Sequence, residues 1–472
     1  MVRAILPSMA DYATLRQQHA ALFTQLIGPH VKRLSWSVDQ LRSERRNRLR
    51  ELLRIARARS PWHRQRLAGI DPDHVDEDDL SRVPPMTKDD LMANWDDIVT
   101  DRRLRLEQVE RHLAALSSDS YLYDEFHAVA SGGSSGTRGV YVYGWEPWAA
   151  AYAGFLRTTV WDRAVTPDVG AAPNTIAMVA ARHPTHMTSA IAETFSSPAM
   201  RVVSFPITQA LEGIVEGLNA FQPASLIAYA SALKMLAHEA RAGRLQIAPR
   251  RILSTSEPLF SEVRRDVEEV FHAPVANVYG TSEAGPVAVG CWRGAGMHLS
   301  DDLVIVEPVD RSGRHLGVGV RSDKIYLTAL ANPTLPLIRF EMSDHVELLD
   351  RQCSCGSAHR LIADVEGRVD DVFAYEGGVL VHPHVFRSAL SRDRAILEYR
   401  VCQTATGADV LSVGAPADAH AIERAIADHL QRLGVRNPIV TVRAVNQLER
   451  QDTGKMRRFV PLPPTRDPRT PT

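Results

Sequence analysis

Apolar residues recur every three or four positions in the first 100 residues, a pattern that predicts amphipathic helices. In the segment 44–67 the apolar stripe consists of Leu49, Leu52, Leu53 and Ile55. This helix is expected to end before Pro61, since proline cannot continue the hydrogen-bonded ladder of a helix. Thr87 is followed by a lysine and two aspartates, so we expect it to cap the next helix at its amino end. The beginning of the chain is therefore predicted to be helical and polar.

From residue 128 to about residue 365, short β-type runs alternate with amphipathic segments, which is typical of an α/β fold. The run SLIAYA, residues 225–230, predicts a strand, and the helix after it is expected to begin at Ser231 and stop at Gly243. The runs RRILSTSEPL and VANVYGTSEAG repeat this design, each ending in small polar residues. Ligands of such sheets bind at the carboxyl ends of the strands, so these turns are candidate site segments.

The pattern changes near residues 365–373, where we predict a boundary between a large and a small domain. The predicted domains are a large N-terminal α/β domain of packed sheets and helices (1–366), a hinge (367–371), a small α+β domain (372–460) and a disordered tail (461–472). The segment 422–434 carries an apolar stripe that predicts a helix in the small domain, and the tail is rich in proline.

Composition excludes several classes of partner. Of 472 residues, 44% are hydrophobic and 24% are charged, and the net charge is −1, which argues against nucleic acid or an anionic membrane surface as a partner. Because no run approaches the roughly 20 apolar residues that span a bilayer, we expect no membrane segment. Four cysteines in so long a chain do not make a disulfide framework, so a cytoplasmic location is expected.

The segment SGGSSGTRG, residues 131–139, combines glycines with small hydroxyl side chains. Backbone amides and hydroxyls that a ligand can approach closely are suited to binding phosphate. The segment lacks the Lys-Ser/Thr pair of a Walker P-loop, and by itself it is equally compatible with a flexible surface linker.

Five segments in order resemble the adenylate-forming (acyl-CoA synthetase) superfamily. They are SSGTRG (134–139), YGTSE (279–283), SDHVELL (343–349), GRVDD (367–371) and GK (454–455). The runs SPWHRQRL and LSRVPPMTKDDL, together with CSCG at 353–356, are similar more particularly to the phenylacetate–CoA ligase branch. The resemblance covers roughly residues 50–460 and implies an ATP- and Mg²⁺-dependent enzyme.

The resemblance implies a role for each matching residue. Tyr279 would stack on adenine, Ser282 would contact the α-phosphate, and Glu283 would bind Mg²⁺, a hard cation that prefers carboxylate oxygen. Asp344 would accept hydrogen bonds from the ribose hydroxyls, and Arg368 would also reach the ribose. The phosphates of ATP would be held by Ser134, Ser135, Gly136, Thr137 and Gly139. The other expected ATP- and AMP-binding residues are Ser256, Glu257, Pro258, Asn277, Gly280 and Thr281.

Lys455 is the principal catalytic candidate, with Glu283 and Ser282. Forming an acyl-adenylate brings a carboxylate against the α-phosphate, and a lysine ammonium can bridge the two anions. Arg457 and Arg458 are interpreted as a solvated basic tail. The resemblance implies a hinge near Asp370, about which the small domain turns between the two steps of the reaction.

The cysteines raise the question of a metal. Three thiolates and an imidazole form a closed tetrahedral structural zinc site, and spacing alone leaves open whether the cysteines are free buried thiols. Since some relatives in the phenylacetate–CoA ligase branch carry a structural zinc at corresponding positions, the resemblance implies a Zn²⁺ ion held by Cys291, His298, Cys353 and Cys355. Cys402 is left over and is interpreted as a free buried thiol.

Tyr229, Ser231 and His183 are candidates for the substrate pocket. His183 lies in ARHPTHMTSAI near the expected acyl pocket, and the other two match a family position close to it. The sequence also departs from its relatives, with Arg138 where threonine is usual and Val-Tyr after Gly139 where Pro-Lys is frequent.

The predicted function is adenylation of a carboxylic acid, an aryl or arylacetic acid first, with release of pyrophosphate and transfer of the acyl group to coenzyme A. A second hypothesis keeps the adenylation but replaces coenzyme A with another acceptor. The enzyme would then form an amide, or activate nitrite on an aryl amine. A third is a nucleotide-binding relative without turnover. The expected partners are thus the small acid and ATP, and a homodimer is an assembly that the sequence allows.

Overall fold

The computed structural model describes residues 11–131, 139–165, 175–180, 184–196, 201–207, 209–293, 296–365, 372–381, 383–390, 393, 395–450 and 456–462. Within them, α-helices and β-strands combine in mixed sheets, and the predicted α/β class is confirmed.

Six helices make up most of the described part of the first 115 residues. They are α1 Tyr12–Lys32, α2 Val38–Arg59, α3 Pro61–Arg66, α4 Lys88–Ala93, α5 Trp95–Ile98 and α6 Leu106–Ala115. Helix α2 ends before Pro61 as predicted, and its buried stripe packs in a core with Leu67, Leu80 and Ile338. Thr87 caps α4, since its hydroxyl accepts the Asp90 N–H while the Asp90 carboxylate accepts the Thr87 N–H.

The largest sheet has nine strands within the described residues, in the order β13-β14-β9-β8-β7-β6-β5-β3-β4. Strands β4, β3, β5, β6 and β7 are parallel, whereas β7, β8, β9, β14 and β13 are antiparallel. The strands are β3 Thr175–Ala180, β4 Arg201–Pro206, β5 Ser225–Ala228, β6 Arg251–Thr255, β7 Val275–Thr281, β8 Gly285–Gly290, β9 Met297–Leu299, β13 Leu348–Leu349 and β14 Leu361–Ile362.

Helices connect the parallel strands of this sheet and cover its apolar side chains. They are α8 Met187–Thr194, α9 Leu211–Phe221, α10 Ala230–Arg241 and α11 Ser261–Phe271. The strand predicted over 225–230 ends at Ala228, because Tyr229 already has the extended backbone of a helix N-cap and α10 begins one residue before the predicted Ser231. The core between sheet and helices is mainly aliphatic, as in other parallel sheets that are covered by helices.

A hairpin and a three-stranded sheet complete the N-terminal region. The hairpin pairs β1 His127–Ala130 with β2 Val140–Tyr143, and the small sheet has the order β10-β11-β12, with β10 Val304–Val309, β11 Lys324–Ala329 and β12 Phe340–Met342. Helix α7 Trp145–Val165 packs against α1 and β8.

A buried ion pair anchors α7 to the rest of the N-terminal region. The Arg157 guanidinium donates to both Asp302 carboxylate oxygens, at 2.7 and 2.8 Å, and Arg33 adds an ion pair at 3.1 Å. Burial would raise the pKa of the Asp302 carboxyl, but the positive charges around it, Arg157 first, hold that pKa well below its ordinary value. Asp302 is therefore an ionised group of the core.

The C-terminal region has its own apolar core, formed by residues between Phe373 and Phe459. Its four-stranded sheet has the order β19-β18-β17-β20, and the hairpin β15–β16 lies beside it. The elements are β15 Phe373–Tyr375, β16 Val379–Val381, α12 His384–Leu390, β17 Glu398–Gln403, β18 Ala408–Val413, α13 Ala419–Arg432, β19 Val440–Val445 and β20 Phe459–Val460. The predicted hinge, 367–371, lies outside the described residues, as does 463–472 of the predicted tail, so the domain boundaries stay predictions.

Among the helices that the structure describes, none is both long enough and apolar enough to cross a membrane.

Candidate nucleotide and metal sites

Three neighbouring parallel strands bring predicted nucleotide and pocket residues to one edge of the large sheet. Residues 229–231 follow β5, the loop 256–258 follows β6, and the turn 279–283 ends β7. The Ser231 backbone N–H donates to Glu257 Oε2 at 2.9 Å and so joins the first two segments. This is the edge at which open α/β sheets bind ligands.

Tyr279 and Asp344 come together from segments far apart in the chain. The Tyr279 hydroxyl donates to Asp344 Oδ2 at 3.0 Å, and both residues are buried, with exposures of 8% and 4%. The predicted adenine and ribose residues therefore contact each other, and the bond fixes the end of the tyrosine ring. Their contacts with a nucleotide stay predictions.

Two buried tyrosines of β2 hold the turn that contains Glu283. The Tyr141 hydroxyl donates to Glu283 Oε1 at 2.6 Å, and the Tyr143 hydroxyl donates to the Ser282 carbonyl oxygen at 2.7 Å. Burial, with the adjacent Glu283 carboxylate, raises the pKa of Tyr141 well above its ordinary value, so this tyrosine stays a hydroxyl donor. The sequence analysis missed both tyrosines, although VYVY directly follows the glycine loop.

The glycine loop begins and ends at a fixed base. The Ser131 N–H donates to the Gly139 carbonyl oxygen at 2.9 Å, and the Gly139 N–H donates to Ser131 Oγ at 2.9 Å. Lys88 Nζ, from α4, also donates to Ser131 Oγ, at 3.1 Å. A Cβ on Gly139 would overlap the Tyr141 hydroxyl oxygen. The glycine is therefore required by the tyrosine, and its phosphate role stays a prediction.

Asn277 and Thr281 have partners within the protein. The Asn277 side-chain amide donates to Asp364 Oδ1 at 2.9 Å, and Asp364 is paired with Arg264. Thr281 Oγ1 accepts the Ala284 N–H at 3.2 Å and so shapes the turn before β8. These contacts give both residues a structural role besides the predicted nucleotide role.

Helix α7 packs closely against the glycines of this turn. A Cβ on Gly280 would lie 2.9 Å from the Phe155 ring, and one on Gly285 would lie 3.0 Å from the Ala151 Cβ. Gly285 also has a φ of +73°, a backbone conformation that favours glycine. Sequence reasoning missed Phe155 and Ala151, and the glycines at both ends of GTSEAG are the signal that a close neighbour exists.

The two pocket candidates that the structure describes are buried beside this edge. Tyr229 and Ser231 are exposed by only 2% and 1%. Ser231 Oγ has no hydrogen-bond partner among the described residues, so it is a candidate to bond a substrate.

The C-terminal region reaches the same loop. The Met456 N–H donates to Glu257 Oε1 at 3.4 Å, and the Arg458 guanidinium lies 5.2 Å from the Phe260 ring centre and 5.0 Å from that of Tyr399. The prediction of a solvated tail is therefore wrong for Arg458, because two rings cover its guanidinium.

The loop residue Ser256, just before Glu257, has a φ of +66°, which is uncommon for a residue with a side chain. Several predicted site residues lie outside the described residues, namely Ser134, Ser135, Gly136, Thr137, His183, Arg368, Asp370 and Lys455.

The four predicted zinc ligands come together. The ligand atoms of Cys291, His298, Cys353 and Cys355 all lie within 4.8 Å of one another. Cys291 Sγ and Cys353 Sγ are 3.3 Å apart, and Cys355 Sγ is 3.4 Å from His298 Nε2. In a tetrahedral zinc site the ligand atoms are about 3.8 Å apart, so this donor set fits Zn²⁺.

The turn at 353–356 is shaped for such a set. The Cys355 N–H donates to Cys353 Sγ at 3.5 Å, and Gly356 has a φ of +87°. A hydrogen bond from the Cys291 thiol, with a further one from His298, lowers the pKa of Cys355 to about 3. Metal binding requires thiolates, so a lowered pKa at Cys355 favours the form that binds metal.

The zinc ligands lie away from the nucleotide candidates. Strand β8 runs antiparallel to β7, so Cys291, which follows Gly290, lies at the edge of the sheet where β7 begins. The six residues of β8 separate this edge from the Glu283 turn by about 20 Å. The cluster can support the fold but cannot take part in chemistry at that turn.

No family model matches the chain. It is 30% identical over 235 residues to a phenylacetate-coenzyme A ligase of Thermus thermophilus, a match that covers 44% of this chain and 52% of that one. The matched region spans about half the length of the curated relatives.

Solved structures of a 2-hydroxyisobutyryl-CoA ligase share the fold. In its postadenylation state, in complex with an acyl-AMP, that enzyme matches with a TM-score of 0.69 at 20% identity, over 90% of both chains. In its thioesterification state, with CoA, it matches with a TM-score of 0.57 at 21% identity, over 90% of this chain and 91% of that one. The sequence and fold together confirm the resemblance: the chain is similar to the phenylacetate–CoA ligase branch of the adenylate-forming superfamily.

Proposed function

We propose that this protein is an AMP-forming acid–thiol ligase, which adenylates an aryl or arylacetic acid and transfers the acyl group to coenzyme A. The observation that carries the proposal is the convergence, at one sheet edge, of the Glu283 turn, the 256–258 loop and the base of the glycine loop. The Glu283 turn and Gly139 belong to segments that resemble the superfamily, and the 256–258 loop carries expected ATP- and AMP-binding residues. The sequence similarity to a phenylacetate-coenzyme A ligase supports the choice of acid and thiol.

In the proposed reaction the substrate carboxylate attacks the α-phosphorus of ATP, and pyrophosphate leaves. Glu283 would hold Mg²⁺, which neutralises phosphate charge when bound. Tyr279 and Asp344 would hold the nucleoside, and Lys455 would place its ammonium between carboxylate and α-phosphate. Coenzyme A would then displace AMP, so that one thioester forms for each ATP consumed.

A closing small domain would exclude water from the acyl-adenylate, which hydrolyses readily. The contact between Met456 and Glu257 supports this proposal, because it brings the chain next to Lys455 to a predicted nucleotide loop.

We also propose that Cys291, His298, Cys353 and Cys355 hold a structural Zn²⁺ ion. With four protein ligands such an ion has no open position for a substrate.

Pyrophosphate release from ATP tests the main proposal. The assay uses a panel of benzoates, arylacetates, short hydroxy acids and nitrite, with and without coenzyme A. We expect release that depends on an aromatic acid, a thioester product, and a loss of about 100-fold or more in Lys455→Ala. The matched control is Arg457→Ala, which should remain within about twofold of the unsubstituted protein.

Other outcomes are equally decisive. Release without a thioester would favour the non-thiol acceptor. ATP binding without release for any acid would favour the nucleotide-binding relative. Undiminished release in Lys455→Ala would contradict the catalytic role of that lysine.

A further inference from the structure

Strand β2 presents two tyrosines to the β7–β8 turn. Residues two apart in a strand face the same way, so Tyr141 and Tyr143 both point at this turn. They have different acceptors: Tyr141 bonds the carboxylate of Glu283, whereas Tyr143 bonds a backbone carbonyl. Both side chains are fully buried, with exposures of 0% and 2%.

The base of the glycine loop lies against the same tyrosine. Lys88 Nζ and the Gly139 N–H both donate to Ser131 Oγ, at 3.1 and 2.9 Å. A Cβ on Gly139 would overlap the Tyr141 hydroxyl oxygen, so the loop base contacts the tyrosine that bonds Glu283.

The hydrogen bond from Tyr141 makes the two carboxylate oxygens of Glu283 different. Oε1 accepts from Tyr141 at 2.6 Å. Among the residues that the structure describes, no hydrogen bond or ion pair is made by Oε2, and the side chain is half-buried. One oxygen is therefore held by the protein, and the other is without a protein partner among the described residues.

We propose that Tyr141 is a positioning residue that orients Glu283, so that Oε1 stays bonded to the tyrosine and Oε2 alone ligates Mg²⁺. This inference rests on the proposed function, because it takes Glu283 as the metal ligand. It goes beyond the resemblance, since Tyr141 belongs to the Val-Tyr pair that replaces the residues frequent in relatives. Hydrogen bonds to a ligating carboxylate typically change metal affinity 10- to 100-fold.

Binding of Mn²⁺, as a paramagnetic substitute for Mg²⁺, tests the inference without turnover. Free Mn²⁺ is measured by electron paramagnetic resonance in the presence of a non-hydrolysable ATP analogue. We expect Tyr141→Phe to weaken Mn²⁺ binding about 10-fold or more. The matched control is Tyr143→Phe, which loses an equally buried hydroxyl with a backbone acceptor and should change Mn²⁺ affinity less than about threefold.

A double-mutant cycle with Glu283→Gln isolates the contact. If Tyr141 acts through Glu283, adding Tyr141→Phe to Glu283→Gln should cause no further loss of Mn²⁺ affinity. Thermal unfolding of the two phenylalanine variants, which should be similar, checks that both are folded.

The inference would be overturned if Tyr141→Phe and Tyr143→Phe had equal affinities for Mn²⁺. It would also be overturned if Tyr141→Phe weakened Mn²⁺ binding as much in the Glu283→Gln background as in the unsubstituted protein. Failure of the proposed function has a different signature, namely that the unsubstituted protein binds no Mn²⁺ with the nucleotide and releases no pyrophosphate.

Discussion

Gly139 is constrained both by its predicted role in phosphate binding and by its contact with Tyr141. The sequence assigns it to phosphate binding by resemblance, and in the structure the Tyr141 hydroxyl oxygen occupies the place where a Cβ would lie. Since Tyr141 itself bonds Glu283, the absence of a side chain at Gly139 also determines where the carboxylate can lie.

We expect Gly139→Ala to displace Tyr141 and to destabilise the protein by about 1–3 kcal/mol, the usual effect of overpacking in a core. The affinity for ATP with Mg²⁺ should fall with it, because the loop base and Glu283 move together. Denaturant unfolding and titration calorimetry measure the two effects.

Gly144→Ala is the matched control, because a Cβ there would lie 3.6 Å from Thr334 Oγ1, an ordinary contact. If Gly139→Ala were as stable and bound ATP as tightly as Gly144→Ala, the steric argument would be wrong.

At the scale of elements, the four proposed zinc ligands join parts of the chain that have little regular structure of their own. Strand β9 has three residues and β14 has two, and the turn at 353–356 belongs to neither. Short strands contribute few ladder hydrogen bonds, so a metal ion at this edge would supply stabilisation that the strands lack.

Metal analysis and thermal unfolding test this role. We expect about one zinc per chain and a decrease in the melting temperature when a strong chelator removes it, because the binding free energy of a structural zinc is part of the folding free energy. Cys355→Ser should lose the zinc and show the lower melting temperature without chelator.

Cys402→Ser is the control for the loss of a thiol. Cys402 lies in β17 of the C-terminal region and is not one of the proposed zinc ligands, so this variant should keep its zinc. A Cys355→Ser variant that keeps its zinc, or a protein without zinc that the chelator does not affect, would contradict the proposed metal site.

At the scale of the whole molecule, side chains among the described residues join the C-terminal region to the N-terminal one. Lys234 Nζ of α10 donates to the Ile396 carbonyl oxygen at 2.5 Å, and Arg458 lies between Phe260 and Tyr399. Phe260 belongs to the N-terminal region and Tyr399 to the C-terminal one, so Arg458 bridges the two.

We expect Arg458→Ala to weaken this contact, because a partly desolvated guanidinium over a ring contributes up to about 2 kcal/mol. The rate of acyl-adenylate formation in a single turnover should fall about 10-fold. The affinity for ATP should change little, since Arg458 is not among the predicted nucleotide residues.

Arg457→Ala serves as the neighbouring control. Equal adenylation rates in the two variants would show that the ring contacts of Arg458 do not hold the catalytic arrangement.

Much of the fold could be predicted from local sequence. The helix that carries Leu49, Leu52 and Leu53 and ends before Pro61 depends on neighbours a few positions apart. The same holds for the Thr87 cap and for the alternation of strands and helices. Turns at strand ends follow from the same alternation, so Ser256 and Ser282 could be assigned to one edge of the sheet. The four cysteine and histidine residues do form a cluster, as predicted. Spacing alone left open whether the cysteines are free thiols, and the resemblance to known relatives pointed to this set.

The α/β class, the family resemblance and the candidate residues could all be inferred without a structure. Packing of distant segments was needed to show the antiparallel half of the sheet, the ring contacts of Arg458 and the bond from Tyr141 to Glu283. These features join residues that lie far apart along the chain. Tyr141 and Glu283 are 142 positions apart, and no local periodicity records such a contact, whereas packing of β2 against the β7–β8 turn makes it a bond of 2.6 Å.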